Sequence, residues 1–217
     1  MGTREIKASA VDPSPAAAFR VRPGLPKDAS SFVQMWKGVV AERRFVRTES
    51  VHRSVRYYRR KFFRRAWTDE EASIVAVVGD RVIGHLTVSR EEGGAARHVA
   101  SIGIAVDRAW RGCGVGSALM KECIWWARSV GVEKLALSVY PDNQAAIALY
   151  RKFGFREEGR LTGQSKKSIG YRDEIVMGLW LTPQPDSASP PTSRGVPQSA
   201  GLPDAGHSGV PPGEWRG

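Results

Sequence analysis

The chain has 217 residues, 41% of them hydrophobic, with 33 Lys and Arg against 22 Asp and Glu, for a formal net charge of +11. That length fits one domain with tails, and no apolar run approaches the roughly 20 residues that a membrane-crossing helix needs. Two cysteines and no Cys/His cluster at metal-ligand spacing argue against a disulfide scaffold or a zinc module, and the default compartment is a reducing cytoplasm.

Residues 1–18 hold no continuous apolar stretch of signal-peptide type and are expected to form a flexible arm. Residues 19–23 alternate as a strand does, and Pro23-Gly24 ends it. Asp28 opens a helix that carries Phe32, Val33, Met35, Trp36, Val39 and Val40. Thr48-Glu49-Ser50 precedes a second helix, with Val51, Val55, Tyr58 and Phe62 at four-three-four spacing. Residues 73–78 and 81–88 flank Gly79-Asp80, a hairpin turn. The polar loop Glu91-Glu92-Gly93-Gly94 leads to a strand over 98–106. The spacing predicts a helix over 114–130, with Val115, Leu119, Cys123 and Ala127 on one stripe. A buried-type strand at 134–139 and a helix over 143–153, closed by Gly154, follow. Two strands, near 155–161 and 171–181, complete a domain of residues 19–182. From Thr182 the chain turns Pro/Gly/Ser-rich with almost no apolar periodicity, so 183–217 is expected to be a disordered tail.

The chemistry gathers after the 98–106 strand. Arg111-Gly112-Cys113-Gly114-Val115-Gly116-Ser117 follows an apolar run and opens a helical pattern. Such a turn presents main-chain N–H groups at a positive helix end, where phosphate is held. Glycines let that backbone approach an anion without side-chain interference. A P-loop needs Gly-Lys-Ser/Thr, and here Gly116 runs directly into Ser117. A dinucleotide fingerprint counted from Gly112 needs glycine where Ser117 stands. Further on, Val139-Tyr140-Pro141-Asp142-Asn143 leads into Leu149-Tyr150 and Phe153-Gly154-Phe155. Asn143 and Tyr150 are spaced to share one helical face, with Asn143 where an N-cap belongs.

Together the two segments resemble the GCN5-related N-acetyltransferase family. There the first segment is the acyl-CoA pyrophosphate loop (Arg/Gln-x-x-Gly-x-Gly/Ala), and the second is the Asn…Tyr helix beside the thioester. The resemblance covers about residues 19–181. It implies an α+β acyl-CoA N-acyltransferase fold: a mixed, mostly antiparallel sheet, flanked by helices and split around its middle. It implies an acetyl-CoA-dependent enzyme that moves an acetyl group to a primary amine by direct attack in a ternary complex.

Residue by residue, the resemblance assigns Arg111, Gly112, Cys113, Gly114, Val115, Gly116 and Ser117 to the pyrophosphate. It assigns Ile104, Ala105 and Val106 to the pantetheine arm, with a backbone N–H near Ile104 polarising the thioester. Asn143 contacts the cosubstrate as well, and Tyr150 lies near its sulfur. A phenol, with a reference pKa near 10, holds a donatable proton at neutral pH. Cys113 stands at a helix start, which favours a thiolate, yet no histidine lies near it in sequence to make it a nucleophile.

An amine nucleophile must lose a proton, and His98 is the first candidate base. On a regular strand His98 and Ile104 would share one face, and in some relatives a glutamate base stands there. His85, Glu42 and Asp173 are further candidates. Tyr171 and Asp173, on one face of the last strand, and Glu42 are candidate acceptor-binding residues.

The excess charge concentrates between Arg43 and Arg65, where the sole acid is Glu49. Such a run is usually a solvated face; the sharper reading is an acidic partner such as RNA or an acidic peptide. The other function classes are therefore a nucleic-acid-binding or acyl-CoA-sensing protein on a catalytically weak acetyltransferase scaffold. A homodimer stays open, a membrane partner is not expected, and the acceptor amine ranges from small molecules and amino acids to protein N-termini.

Overall fold

The strands β1 (Arg20–Pro23), β2 (Glu71–Val78), β3 (Arg81–Arg90), β4 (Val99–Val106), β5 (Lys134–Val139), β6 (Arg156–Lys167) and β7 (Gly170–Trp180) form one sheet. Their order is β1-β2-β3-β4-β5-β7-β6. The helices are α1 (Ala29–Ala41), α2 (Val55–Arg65), α3 (Val115–Ser129) and α4 (Gln144–Lys152). The computed structural model describes residues 18–65 and 67–182, without the side chains of 61–65. The expected arm, apart from Ala18, and the expected tail lie outside the described residues, as does the Phe62 side chain.

Every adjacent pair of strands is antiparallel except β4 and β5. Alternation sends the two sets of side chains to opposite faces. Ile74, Leu86, Val88 and Ala100 meet α3, whose Leu119, Met120, Cys123 and Trp126 are fully buried. Val75, Val77 and Val82 meet Phe32, Val33 and Val39 of α1. Contact with α3 is close: a Cβ added at Gly84 would stand 2.8 Å from Val115 Cγ1 and 3.0 Å from Leu119 Cδ1. Burial pushes the Cys123 thiol up to about 12, so it is an inert core group.

The sheet edges are blunted. β1 is four residues long and ends in Pro23, and β6 exposes Arg156, Glu157 and Arg160. Near β1, buried Asp28 accepts from Arg22 at 2.7 and 2.8 Å and from Leu25 N at 2.7 Å, pinning the entry to α1.

Three boundaries differ from expectation. The second helix begins at Val55, because the Ser54 hydroxyl accepts from Tyr57 N and caps it. Residues 43–54, Val51 included, form an irregular strap that leaves α1 through Arg43 at φ 53°. β4 begins at Val99, leaving His98 in the preceding turn. β6 runs far past Leu161, because an exposed edge strand carries no apolar alternation.

Candidate functional site

β4 and β5 pair over three positions only, Val99↔Lys134, Ala100↔Leu135 and Ser101↔Ala136. Beyond Ser101 the strands part, while β4 keeps its pairing to β3 as far as Val106. The opposite main-chain edge of 102–106 therefore faces a wedge rather than a neighbouring strand. The wedge belongs to a cleft of about 1350 Å³, which exceeds the range for a single drug-sized ligand.

One end of the cleft is the turn into α3. Gly112 and Gly114 sit at φ 79° and 83°, a region that side chains strain to enter, and a Cβ at either would meet nothing within 4 Å. Gly114 is the N-cap of the fifteen-residue α3, and no side chain caps it. The N–H groups of that first turn have no acceptor within their own helix. Trp110 Nε1, just before the turn, is buried without a hydrogen-bond partner. An open, uncapped, electropositive turn fits a phosphate-bearing group.

Arg111 departs from its expected part. Its guanidinium grips Glu42 at 2.7 and 2.6 Å and donates to Val106 O at 3.2 Å, so much of its charge is already matched. On α4, Asn143 Oδ1 accepts from Ala146 N at 3.3 Å, the N-cap bond. Tyr150 lines the same cleft, its ring 5.8 Å from that of Phe155. Burial pushes its phenol up to about 12.

The sequence profile of the acetyltransferase (GNAT) family matches residues 40–155. The chain belongs to that family. It is 42% identical over 108 residues to the L-amino acid N-acetyltransferase AaaT of Escherichia coli K12, a match covering 48% of this chain and 65% of that one. It is 38% identical over 76 residues to the E. coli K12 ribosomal protein bS18-alanine N-acetyltransferase, covering 35% and 51%. Both matches span less than two thirds of the relative. A GNAT phosphinothricin acetyltransferase from Sinorhizobium meliloti, solved in complex with acetyl-CoA, shares the fold at TM-score 0.69 and 22% identity, covering 82% of this chain and 96% of that one. The mixed, mostly antiparallel sheet with its flanking helices is the family's acyl-CoA N-acyltransferase fold.

Of the residues singled out in the sequence, Ile104, Ala105, Val106, Arg111, Gly112, Gly114, Gly116, Ser117, Asn143 and Tyr150 line this cleft. Cys113 and Val115 do not; the latter, the first residue of α3, is buried against Gly84 of β3, and Cys113 Sγ turns toward Arg111 O. His98 lies off the cleft, its ring stacked 6.1 Å from that of Trp180 and its Nδ1 3.1 Å from Ala95 O. The parity linking it to Ile104 fails because His98 precedes the strand. Tyr171 is 72% exposed beside Lys166, and Asp173 is held by Arg160 and Gly163 N, both away from the cleft. Glu174 and Val176 are the β7 residues that line it instead. His85 does line the cleft, with Nε2 2.9 Å from Ser73 Oγ, on the strand position paired with Ala105.

Sequence reasoning missed a polar cluster on the other side of the wedge. Glu174 of β7 is 2% exposed and takes Arg47 Nε at 2.7 Å, Arg47 Nη2 and the Ser165 hydroxyl. Burial alone would raise its carboxyl, but those hydrogen bonds, the Arg47 charge and Ser138 hold it below the usual carboxylate range. Lys167 Nζ donates to Arg43 O at 3.1 Å and Val46 O at 2.8 Å. Ser168 binds Glu49 through N and Oγ, both at 2.9 Å, and Arg172 donates to Arg44 O at 2.6 Å. The strap is thereby tied to the β6–β7 hairpin. The Tyr140 ring lies under Arg172 at 3.9 Å, and its hydroxyl is buried without a partner. Among the described residues, no group of three or more His, Cys, Asp or Glu is arranged to hold a metal ion, and no helix is long and apolar enough to cross a membrane.

Proposed function

We propose that the protein is an acetyl-CoA-dependent N-acetyltransferase whose acceptor is a primary amine, attacked directly in a ternary complex. The observation that carries this reading is the continuity of one cleft from the Gly112 and Gly114 turn, through the β4–β5 wedge, to Tyr150. Bound acetyl-CoA supplies an acetyl group activated on sulfur. The first-turn N–H groups of α3 hold its phosphates. The free main-chain edge of 102–106 pairs with its amides as an added strand would, and an N–H near Ile104 stabilises the charge that develops on the carbonyl oxygen.

Tyr150 donates its phenolic proton to the leaving sulfur. Its burial keeps that proton in place throughout the working pH range. On the opposite face His85 accepts the amine proton directly or through water. The acceptor enters over the face that α1 and the strap cover. Arg56, Arg59 and Arg60 of α2 form an exposed flank of that entrance, beside Arg53 of the strap, which lies on Tyr57 at 4.9 Å.

Calorimetry tests the assignment. Gly114→Glu places a carboxylate and its bulk in the open space of the turn, and acetyl-CoA binding should be lost in the folded variant. Unchanged affinity would refute the phosphate site.

A further inference from the structure

Arg47 and Glu174 form an asymmetric pair. The carboxylate is locked into the sheet at 2% side-chain exposure, whereas the guanidinium is 60% exposed and lines the cleft. Arg47 spends Nε and Nη2 on Glu174, and among the described residues Nη1 has no partner. A guanidinium has a second edge, Nη1 with Nη2, whose geometry matches a carboxylate. The strap is tied on both sides of Arg47, by Lys167 at Arg43 and Val46 and by Ser168 at Glu49, so the free edge is preorganised.

The other lining charges do not compete for the same task. Arg111 is taken by Glu42, Arg53 lies on the Tyr57 ring, and Lys152 stands on the last turn of α4 beyond Tyr150. Among the described residues of the cleft, Glu174 is the sole carboxylate, so nothing repels an incoming anion except a charge already matched. Glu174 also follows directly on from the wedge: the next residue, Ile175, pairs with Val139 of β5. Arg47 and Val139 line the same cleft as residues 102–106 of the wedge. In an α-amino acid a single carbon separates carboxylate and amine, so a clamp on the carboxylate keeps the amine within the same cleft. Phe32, Trp36, Val51 and Tyr58 line the same cleft, with Phe32 edge-on to Tyr58 at 4.9 Å, giving an apolar wall for the side chain.

We propose that Arg47, gripped from behind by Glu174, is the carboxylate clamp of the acceptor site, and that the acceptor class is the free α-amino acid with an apolar side chain. The inference rests on the transferase reading above. The test measures kcat and KM of the full chain for L-leucine, L-leucinamide, isoamylamine and an Ala-initiated peptide. Leucine should exceed leucinamide in kcat/KM by roughly 10- to 150-fold, the weight of a charge-assisted pair, with most of the difference in KM.

In Arg47→Gln with Glu174→Gln, which leaves no buried charge unmatched, that preference should collapse to near one while KM for acetyl-CoA holds. Arg47→Lys keeps the charge and loses the fork, and should raise KM for leucine without moving leucinamide. It also serves if the double variant does not fold. Equal use of leucine and leucinamide by the wild type, or preference for the peptide, would overturn the clamp while leaving the transferase intact. Failure to bind acetyl-CoA would overturn both.

Discussion

The cosubstrate side of the cleft, from β4 through α3 to α4, presents main-chain groups and small residues. The acceptor side, under the 43–54 strap, presents side chains fixed by ion pairs and hydrogen bonds. The first, on the proposed function, would bind through peptide N–H groups that any sequence carries, given glycines that let the chain turn at φ 79° and 83°. The second is built from Arg47, Glu174, Lys167 and their ties, each of which a single substitution can remove. A fold built this way can hold one cosubstrate constant while its acceptor is changed from the strap and hairpin alone.

The largest effect should come from the cosubstrate side. Tyr150→Phe removes the proposed acid without disturbing packing against Phe155, and should lower kcat by roughly 10²–10⁴-fold with acetyl-CoA affinity nearly unchanged. Because burial pushes the phenol up to about 12, its proton stays on below that pH, and no loss of activity between pH 6 and 10 belongs to it. A pH–rate limb in that window should instead change in His85→Ala and persist in His98→Ala, whose ring is on Trp180. The reverse result would return the base to His98.

The same contrast explains what the sequence disclosed. The glycine turn, Asn143 and Tyr150 lie within a span where local spacing reports geometry, so the turn, the cap and the shared helical face were all legible. The ties of the acceptor side join residues 127, 124 and 119 positions apart, and no local period reports such pairs. Tyr171 and Asp173 were singled out on one face of β7; Glu174, on the other, is the one turned inward. A buried acid flanked in sequence by Asp173 and Ile175 offers no signal until its distant partner Arg47 is seen. His98 failed for a smaller reason, a strand start displaced by a single residue, which removed the parity the argument needed.

Acid should separate the two sides. Glu174 is held below the usual carboxylate range despite its burial, by Arg47 and the serines; Glu49 is lowered by hydrogen bonds from Ser168 N and Oγ. A depressed folded pKa contributes stability above the unfolded value, near 4.3 for glutamate, and that stability is lost as pH falls through the folded value. The ties of the strap should therefore weaken below about pH 4.3, whereas the glycine turn contains no carboxylate that must stay ionised. Hydrogen exchange at pH 6 and pH 3.5, corrected for intrinsic rates, should show strap amides losing protection ahead of those of α3. Simultaneous loss in both would mean that the strap and the sheet open as one unit.

The smallest effect is expected on α2. Arg56, Arg59 and Arg60 are exposed, and among the described residues no acid forms a salt bridge with any of them. An exposed cation without such a partner contributes little to stability, so Arg56→Gln and Arg60→Gln should each change it by less than about 0.5 kcal/mol. If these arginines only flank the entrance, KM for a neutral amine should not move, and KM for leucine should rise far less than in Arg47→Lys. Long-range attraction would then appear as a salt dependence of the association rate, not of the bound state. A polyanion surface would give the opposite pattern: tight RNA binding that weakens steeply with salt and disappears when Arg56→Gln and Arg60→Gln are combined. Filter binding at two salt concentrations decides between them.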